Sequence, residues 1–153
     1  MSLFILRHGH AELQITSDEA RNLTEKGRAD TEAVLMSRLT DLNDIRQVWA
    51  SPLVRAQQTA QIVVKYFPHL VIHSSDFLTP EASPLAAIKW LQTIYPKQGS
   101  VMLVSHQPFV GELINKLCGK PAGFYPMGTS SLAAIDFSKV AFAMGEMRWL
   151  DHI

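Results

Sequence analysis

The chain has 153 residues, 47% hydrophobic and 18% charged, the size and balance of one compact domain with one core. Its 14 basic and 14 acidic residues cancel. That excludes a broad basic face for nucleic acid or an anionic membrane, and leaves any anion site to a local cluster. Cys118 is the only cysteine, which excludes an internal disulfide and a thiolate metal cluster. The apolar run at 3–6 is too short for a signal-peptide core, its basic residue lies on the wrong side of it, and no stretch approaches a membrane span. One domain over 1–153 is expected, monomeric and cytoplasmic.

LFILR at 3–7 reads as a short, fully apolar strand of a parallel sheet interior. After a polar loop, 23–39 (LTEKGRADTEAVLMSRL) has helical spacing, with Thr24 as its N-cap. RQVWA at 46–50 predicts a second strand. The stretch 51–67 (SPLVRAQQTAQIVVKYF) predicts a helix with Ser51 as N-cap and Pro52 at the first helical position. A short strand is expected at 70–73, then a helix at 83–95 that repeats the Ser-Pro start. SVMLVS at 100–105 predicts an apolar strand, 109–117 a helix, and SLAAIDF and MGEMRWL a pair of antiparallel strands. Strands alternating with helices predict an α/β, three-layer domain, a mostly parallel central sheet with helices on both faces. Such sheets bind ligands at the carboxyl ends of their strands.

Arg7 and His8 fall at the carboxyl end of the first strand, and Ser105 and His106 at the end of SVMLV. Desolvation and charge repulsion oppose two positive-capable side chains where a buried strand ends, unless an anion offsets them. Each histidine alone reads as a loop polar group; the two together, beside an arginine, point to one crevice. Arg55 falls in the first turn of a helix, where the dipole disfavours a cation. A lone arginine there reads as a surface residue paired with a carboxylate. Beside a helix N-terminus it is also an anion receptor, and Arg7 and Arg55 together suit bidentate grip on a phosphoryl group.

LRHGHA, SPLVRAQQTA and SHQP resemble, in order, the three motifs of the histidine phosphatase (phosphoglycerate-mutase-like) superfamily, and the likeness covers nearly the whole chain. SDEARNLTEKG further resembles the D-x-x-R-x-L-T-x-x-G stretch of the short SixA-type phosphohistidine phosphatases. The resemblance implies that His8 is the nucleophile and holds a transient phosphohistidine. Arg7 and Arg55 would bind the phosphoryl oxygens, and His106 would donate to them. Gly9, Ser105, Thr129 and Ser130 are the expected substrate-binding residues, Gly9 by letting the backbone bend around the phosphate. Thr129 and Ser130, in GTSSL, offer hydroxyls to phosphate, with the start of a strand as their equal alternative reading. A nucleophilic histidine must keep one nitrogen bare, so its other nitrogen is expected to donate to a backbone carbonyl. No metal or cofactor is required, since two arginines and a histidine supply the charge.

Superfamily members that cleave alcohol phosphates add a carboxylic acid for the leaving oxygen. Where one branch has an aspartate after the second histidine, this chain has Gln107; for the other branch's glutamate, Glu81 is the nearest candidate, with Asp76 behind it. A phosphohistidine can leave as neutral imidazole when its other nitrogen is protonated, so a site weak in general acid suits a P–N bond. The segment from Arg55 to His106 is also too short for a large cap, which suits a phosphohistidine projecting from a phosphotransfer protein. The alternatives are a phosphatase of small phosphomonoesters, and a non-catalytic phosphoprotein-binding module, against which an intact His8 speaks. A metal protein is the weakest reading, because His8, His10 and His106 lack carboxylates at ligand spacing. Asp18 and Arg21 are expected to pair and shape the loop over the site, while His69, His73 and His152 read as surface residues.

Overall fold

The computed structural model describes residues 1–153. In chain order the elements are β1 (Ser2–Arg7), α1 (Glu25–Met36), β2 (Ile45–Ala50), α2 (Val54–Tyr66), β3 (Ile72–Ser74), a 3-10 turn (Asp76–Leu78), α3 (Pro84–Ile94), β4 (Ser100–Ser105), α4 (Phe109–Cys118), β5 (Leu132–Phe137) and β6 (Gly145–Asp151). One six-stranded sheet has the order β3-β2-β4-β1-β5-β6. β1, β2, β3 and β4 run parallel, and β5 and β6 join antiparallel at the β1 edge.

Alternation along the strands builds the layers. Phe4, Leu6, Val48, Met102 and Val104 face α1 and α2, packing on Val34, Leu35, Ala56, Ala60 and Val63. Leu3, Ile5, Val101 and Leu103 face the other way, onto Ala87, Ile88 and Leu91 of α3 and Leu113, Ile114 and Leu117 of α4. Successive side chains of a strand point to opposite faces, so an uninterrupted apolar run is what a sheet covered on both sides needs. β1 and β4 are neighbours, yet the helices that follow them lie on opposite faces. That is a topological switch point, where the chain leaves a crevice at the strand ends.

Thr24 and Ser83 cap α1 and α3, their side chains accepting from the N–H groups of Gly27 and Ala86. Three boundaries differ from expectation. α1 stops at Met36 rather than 39, and Arg38 turns away to a two-point ion pair with Asp151. The third strand pairs over Ile72–Ser74. Most consequential, Ser51 does not cap α2. The N-cap is Leu53, and the Val54 N–H donates instead to the Glu19 carbonyl. No helix is long and apolar enough to cross a membrane.

Candidate active site

Arg7 pairs with Ser105 in the β1–β4 register, so His8 and His106 each stand one residue past neighbouring strand ends. The His8 N–H donates to the Ser105 carbonyl at 2.9 Å, and the two imidazoles lie 4.9 Å apart between ring centres. Both histidines are buried, as is Arg55.

His8 Nδ1 donates to the Gly9 carbonyl at 2.7 Å. This fixes the tautomer: Nδ1 carries the proton and Nε2 carries the lone pair, which accepts from Arg55 Nε at 3.3 Å. Burial pushes the His8 pKa down to about 4; the Gly9 bond works against that, and the charges of Arg55, Arg7 and Arg21 work with it. His106 is driven to about 2, by burial first and then by His8 and Arg55. Both rings are therefore neutral at physiological pH. Arg7 donates through Nη1 to the Met127 carbonyl, while its buried Nε and the buried Nδ1 of His106 have no partner in the chain. Unpaired buried polar groups are costly. Two of them in the residues that surround a bare imidazole nitrogen describe a site built for an anion.

The loop after β1 supplies the remaining order. Asp18 links the two other arginines, its carboxylate accepting from Arg21 and Arg55 at 3.1 Å each and its carbonyl from Arg55 Nη1 at 2.7 Å. Partial burial works against the Asp18 charge, but those hydrogen bonds hold its pKa below the ordinary carboxylate value. The expected Asp18–Arg21 pair is present and extends to Arg55. The carbonyls of Asp18 and Glu19 thus seat the start of α2, and the amides of Leu53 and Val54 are spent on Ser51 Oγ and Glu19. The charge at this helix start resides in the Arg55 side chain rather than in those amides. Ser51 Oγ meets His106 Nε2 at 2.7 Å.

Three of the four expected substrate-binding residues have their polar groups committed within the fold. The Gly9 N–H donates to Thr59 Oγ1 at 3.2 Å, and a Cβ at Gly9 would come within 2.6 Å of the Gly27 carbonyl oxygen. Close packing on the first turn of α1 by itself requires a glycine at position 9. Ser105 Oγ donates to the Leu78 carbonyl at 2.6 Å. Ser130, in the left-handed region at φ 59°, donates its N–H to the His8 carbonyl and shares its buried hydroxyl with Thr31; it latches the loop under the site. Thr129 is half-buried beside it. Gln107, just before the Pro108 N-cap of α4, is tied to the helix's first turn, its side-chain oxygen accepting from the Gly111 N–H at 2.9 Å. Glu81 is exposed in the turn before α3, and the structure does not join it to either histidine. His10 reaches the capping hydroxyl of Thr24.

Sequence reasoning missed Ser51, Thr59 and Thr31 as parts of the site. Ser51 and Thr59 lie within SPLVRAQQTA, which carried that signal unread. No group of three or more histidine, cysteine, aspartate or glutamate side chains is placed to hold a metal ion. An open groove of about 740 Å³ runs between α4 and the segment ending at Pro126, lined by Gln107, Asn115, Lys116, Lys120 and Tyr125.

The profile of the histidine phosphatase superfamily (branch 1) matches residues 3–78. The chain is 34% identical over 143 residues to a phosphohistidine phosphatase SixA homolog of Haemophilus influenzae, covering 86% of this chain and 87% of that protein. It is 34% identical over 139 residues to phosphohistidine phosphatase SixA of Escherichia coli, covering 88% and 83%. A solved structure of the protein histidine phosphatase SixA complexed with tungstate superposes with a TM-score of 0.83 at 29% identity, over 98% of this chain and 96% of that one. With that fold, those ordered motifs and a bare imidazole between arginines, the chain belongs to the histidine phosphatase superfamily, as an enzyme of its SixA type: a phosphatase with a catalytic histidine.

Proposed function

We propose that this enzyme removes the phosphoryl group from a phosphohistidine on a signalling or phosphotransfer protein, through a covalent intermediate on His8. The observation that carries the reading is the His8 hydrogen bond to Gly9, which leaves Nε2 unprotonated beside Arg55. The names of the SixA relatives support the substrate class. Tungstate bound by the similar SixA structure is a tetrahedral oxyanion of the phosphate kind, which supports a phosphoryl site.

Transfer begins when the Nε2 lone pair attacks phosphorus in line with the substrate P–N bond. The bond's electron pair returns to the departing nitrogen. If the substrate ring carries a proton on its other nitrogen, it leaves as neutral imidazole and needs no general acid. Arg7, Arg55 and His106 stabilise the charge on the equatorial oxygens, the main demand of phosphoryl transfer.

The Gly9 carbonyl matters again in the second half. Phosphorylated His8 would carry phosphorus on Nε2 and its proton on Nδ1, so it is already the form that departs as neutral imidazole. Water attacks phosphorus and the P–N electrons return to Nε2. The water proton leaves with phosphate or passes to solvent. Neither half calls on a carboxylic acid, consistent with an ionised Asp18 and a solvated Glu81.

The test compares a phosphohistidine-bearing phosphotransfer domain with a simple phosphomonoester, using wild type and His8→Ala. The expected result is rapid loss of the P–N phosphate, little ester hydrolysis, and no turnover by the variant. Efficient ester hydrolysis lost in Glu81→Gln would move the enzyme to small phosphomonoesters. Retention of the phosphoprotein without turnover would make it a binding module.

A further inference from the structure

Ser51 sits at the end of β2, fully buried, in a position where the Ser-Pro pattern implies a helix cap. The fold uses it otherwise. Its backbone N–H joins the Val104 carbonyl and its carbonyl accepts from Gln57 Nε2 at 2.9 Å, so the residue is locked to β4 and α2 together. Its hydroxyl accepts from the Leu53 N–H at 3.3 Å and faces His106 Nε2 at 2.7 Å.

A hydroxyl has one proton to give. If His106 Nε2 carried a hydrogen and donated it to Ser51, the serine proton would be stranded in a fully buried place. His106 Nδ1 would also turn a lone pair on an incoming anion. Both arrangements are costly. If Ser51 donates to Nε2 instead, every serine group is satisfied and the imidazole hydrogen moves to Nδ1. That is the buried atom without a partner in the resting enzyme. His8 and His106 then share one tautomer with opposite uses: His8 spends its Nδ1–H on Gly9 and presents a lone pair, while His106 presents its Nδ1–H.

We propose that Ser51 is a positioning residue that holds His106 as the Nδ1–H tautomer, leaving that N–H for a phosphoryl oxygen. The second half of this statement rests on the phosphatase reading above; the tautomer does not.

The experiment is long-range proton–nitrogen NMR of the whole protein labelled with 15N-histidine, with and without inorganic phosphate, and steady-state kinetics of Ser51→Ala and Ser51→Thr. The resting wild type is expected to show a protonated Nδ1 and a bare Nε2 on His106, with the Nδ1–H resonance moving when phosphate is added. Ser51→Ala is expected to populate the Nε2–H form and to lose about tenfold in kcat, the scale of one neutral hydrogen bond. Ser51→Thr, which keeps the hydroxyl, is expected to restore both. A wild-type spectrum with hydrogen on Nε2 overturns the assignment, whatever the variants do. So does a Ser51→Ala enzyme with the wild-type tautomer and wild-type kcat. A correct tautomer in a protein that spares phosphohistidine would leave Ser51's role standing and remove the phosphatase reading alone.

Discussion

Two neutral imidazoles buried among arginines make the resting enzyme sensitive to acid in a way that can be worked out. The unfolded chain takes up a proton at each histidine near pH 6.5, while folded His8 resists until about 4. Between those values the unfolded state binds more protons, so stability falls as pH drops through that window and levels off, for this group, below about 4. Between pH 7.5 and 4.5 the His8 contribution to this loss is roughly 2–3 kcal/mol, because each proton bound only by the unfolded chain costs about 1.4 kcal/mol for every pH unit crossed. His106, held neutral to still lower pH, adds about 3 kcal/mol over the same range. Together they approach the whole stability of a marginal domain, roughly 5–15 kcal/mol. Carboxylates also titrate in this range, but equally in a variant that keeps them. The assay is therefore urea unfolding of wild type, His8→Gln and the His8→Gln/His106→Gln double variant at both pH values. Phosphate and sulfate must be absent, because a bound anion would stabilise the charged forms. The single variant should lose less stability on acidification than wild type by roughly 2–3 kcal/mol, and the double variant less by about 5 kcal/mol. Equal losses in all three proteins would refute the neutral-pair account of the site.

Other outcomes follow from the same geometry. Arg55→Lys keeps the charge but cannot meet Asp18, His8 and a phosphoryl oxygen through one planar fork, so kcat/KM on a phosphohistidine substrate should fall about 100-fold or more. A fall of only a few-fold would show that Arg55 acts as a point charge. Asp18→Asn removes the anion that shares Arg55; inhibition by inorganic phosphate should tighten about two- to fivefold, the scale of a partly exposed ion pair. Weaker inhibition would mean that Asp18 mainly aims the arginine. Gly27→Ala would drive a methyl into the His10 carbonyl, and urea unfolding should show a loss of about 1–3 kcal/mol from overpacking. An unchanged midpoint would mean that the loop after β1 yields without cost.

The parts of this enzyme legible in its sequence are those written locally. The run LFIL reads as a strand covered on both faces, and Thr24 and Ser83 cap the helices they precede. Arg7, His8 and His106 are legible as one cluster because the ends of neighbouring strands converge at a switch point. Ser51 shows where local reading stops. Its Ser-Pro start is the same signal as at Ser83, but the carbonyls of Asp18 and Glu19 arrive from a loop more than thirty residues earlier in sequence and take over the start of α2. That frees Ser51 for His106. Gly9 reads as a phosphate contact because it follows His8 in its motif, and Ser130 because GTSSL offers hydroxyls. Their contacts with Gly27, Thr59 and Thr31 depend on how α1 and α2 lie across the sheet, which no spacing within a motif encodes. The stretch from Asp18 to Gly27, legible only as a pattern, proves to be the strap that carries Asp18 to Arg55, Thr24 to its cap and Gly27 to His10.

The most direct measurement is to trap the intermediate. The enzyme would be mixed with excess phosphohistidine protein, quenched in alkali within the first turnover, and digested for mass spectrometry with 31P NMR to identify the nitrogen. The account predicts phosphate on Nε2 of His8 that forms and decays at the rate of turnover. Turnover without a phosphorylated enzyme, or phosphate on Nδ1 of His8 or on any other residue, would contradict it.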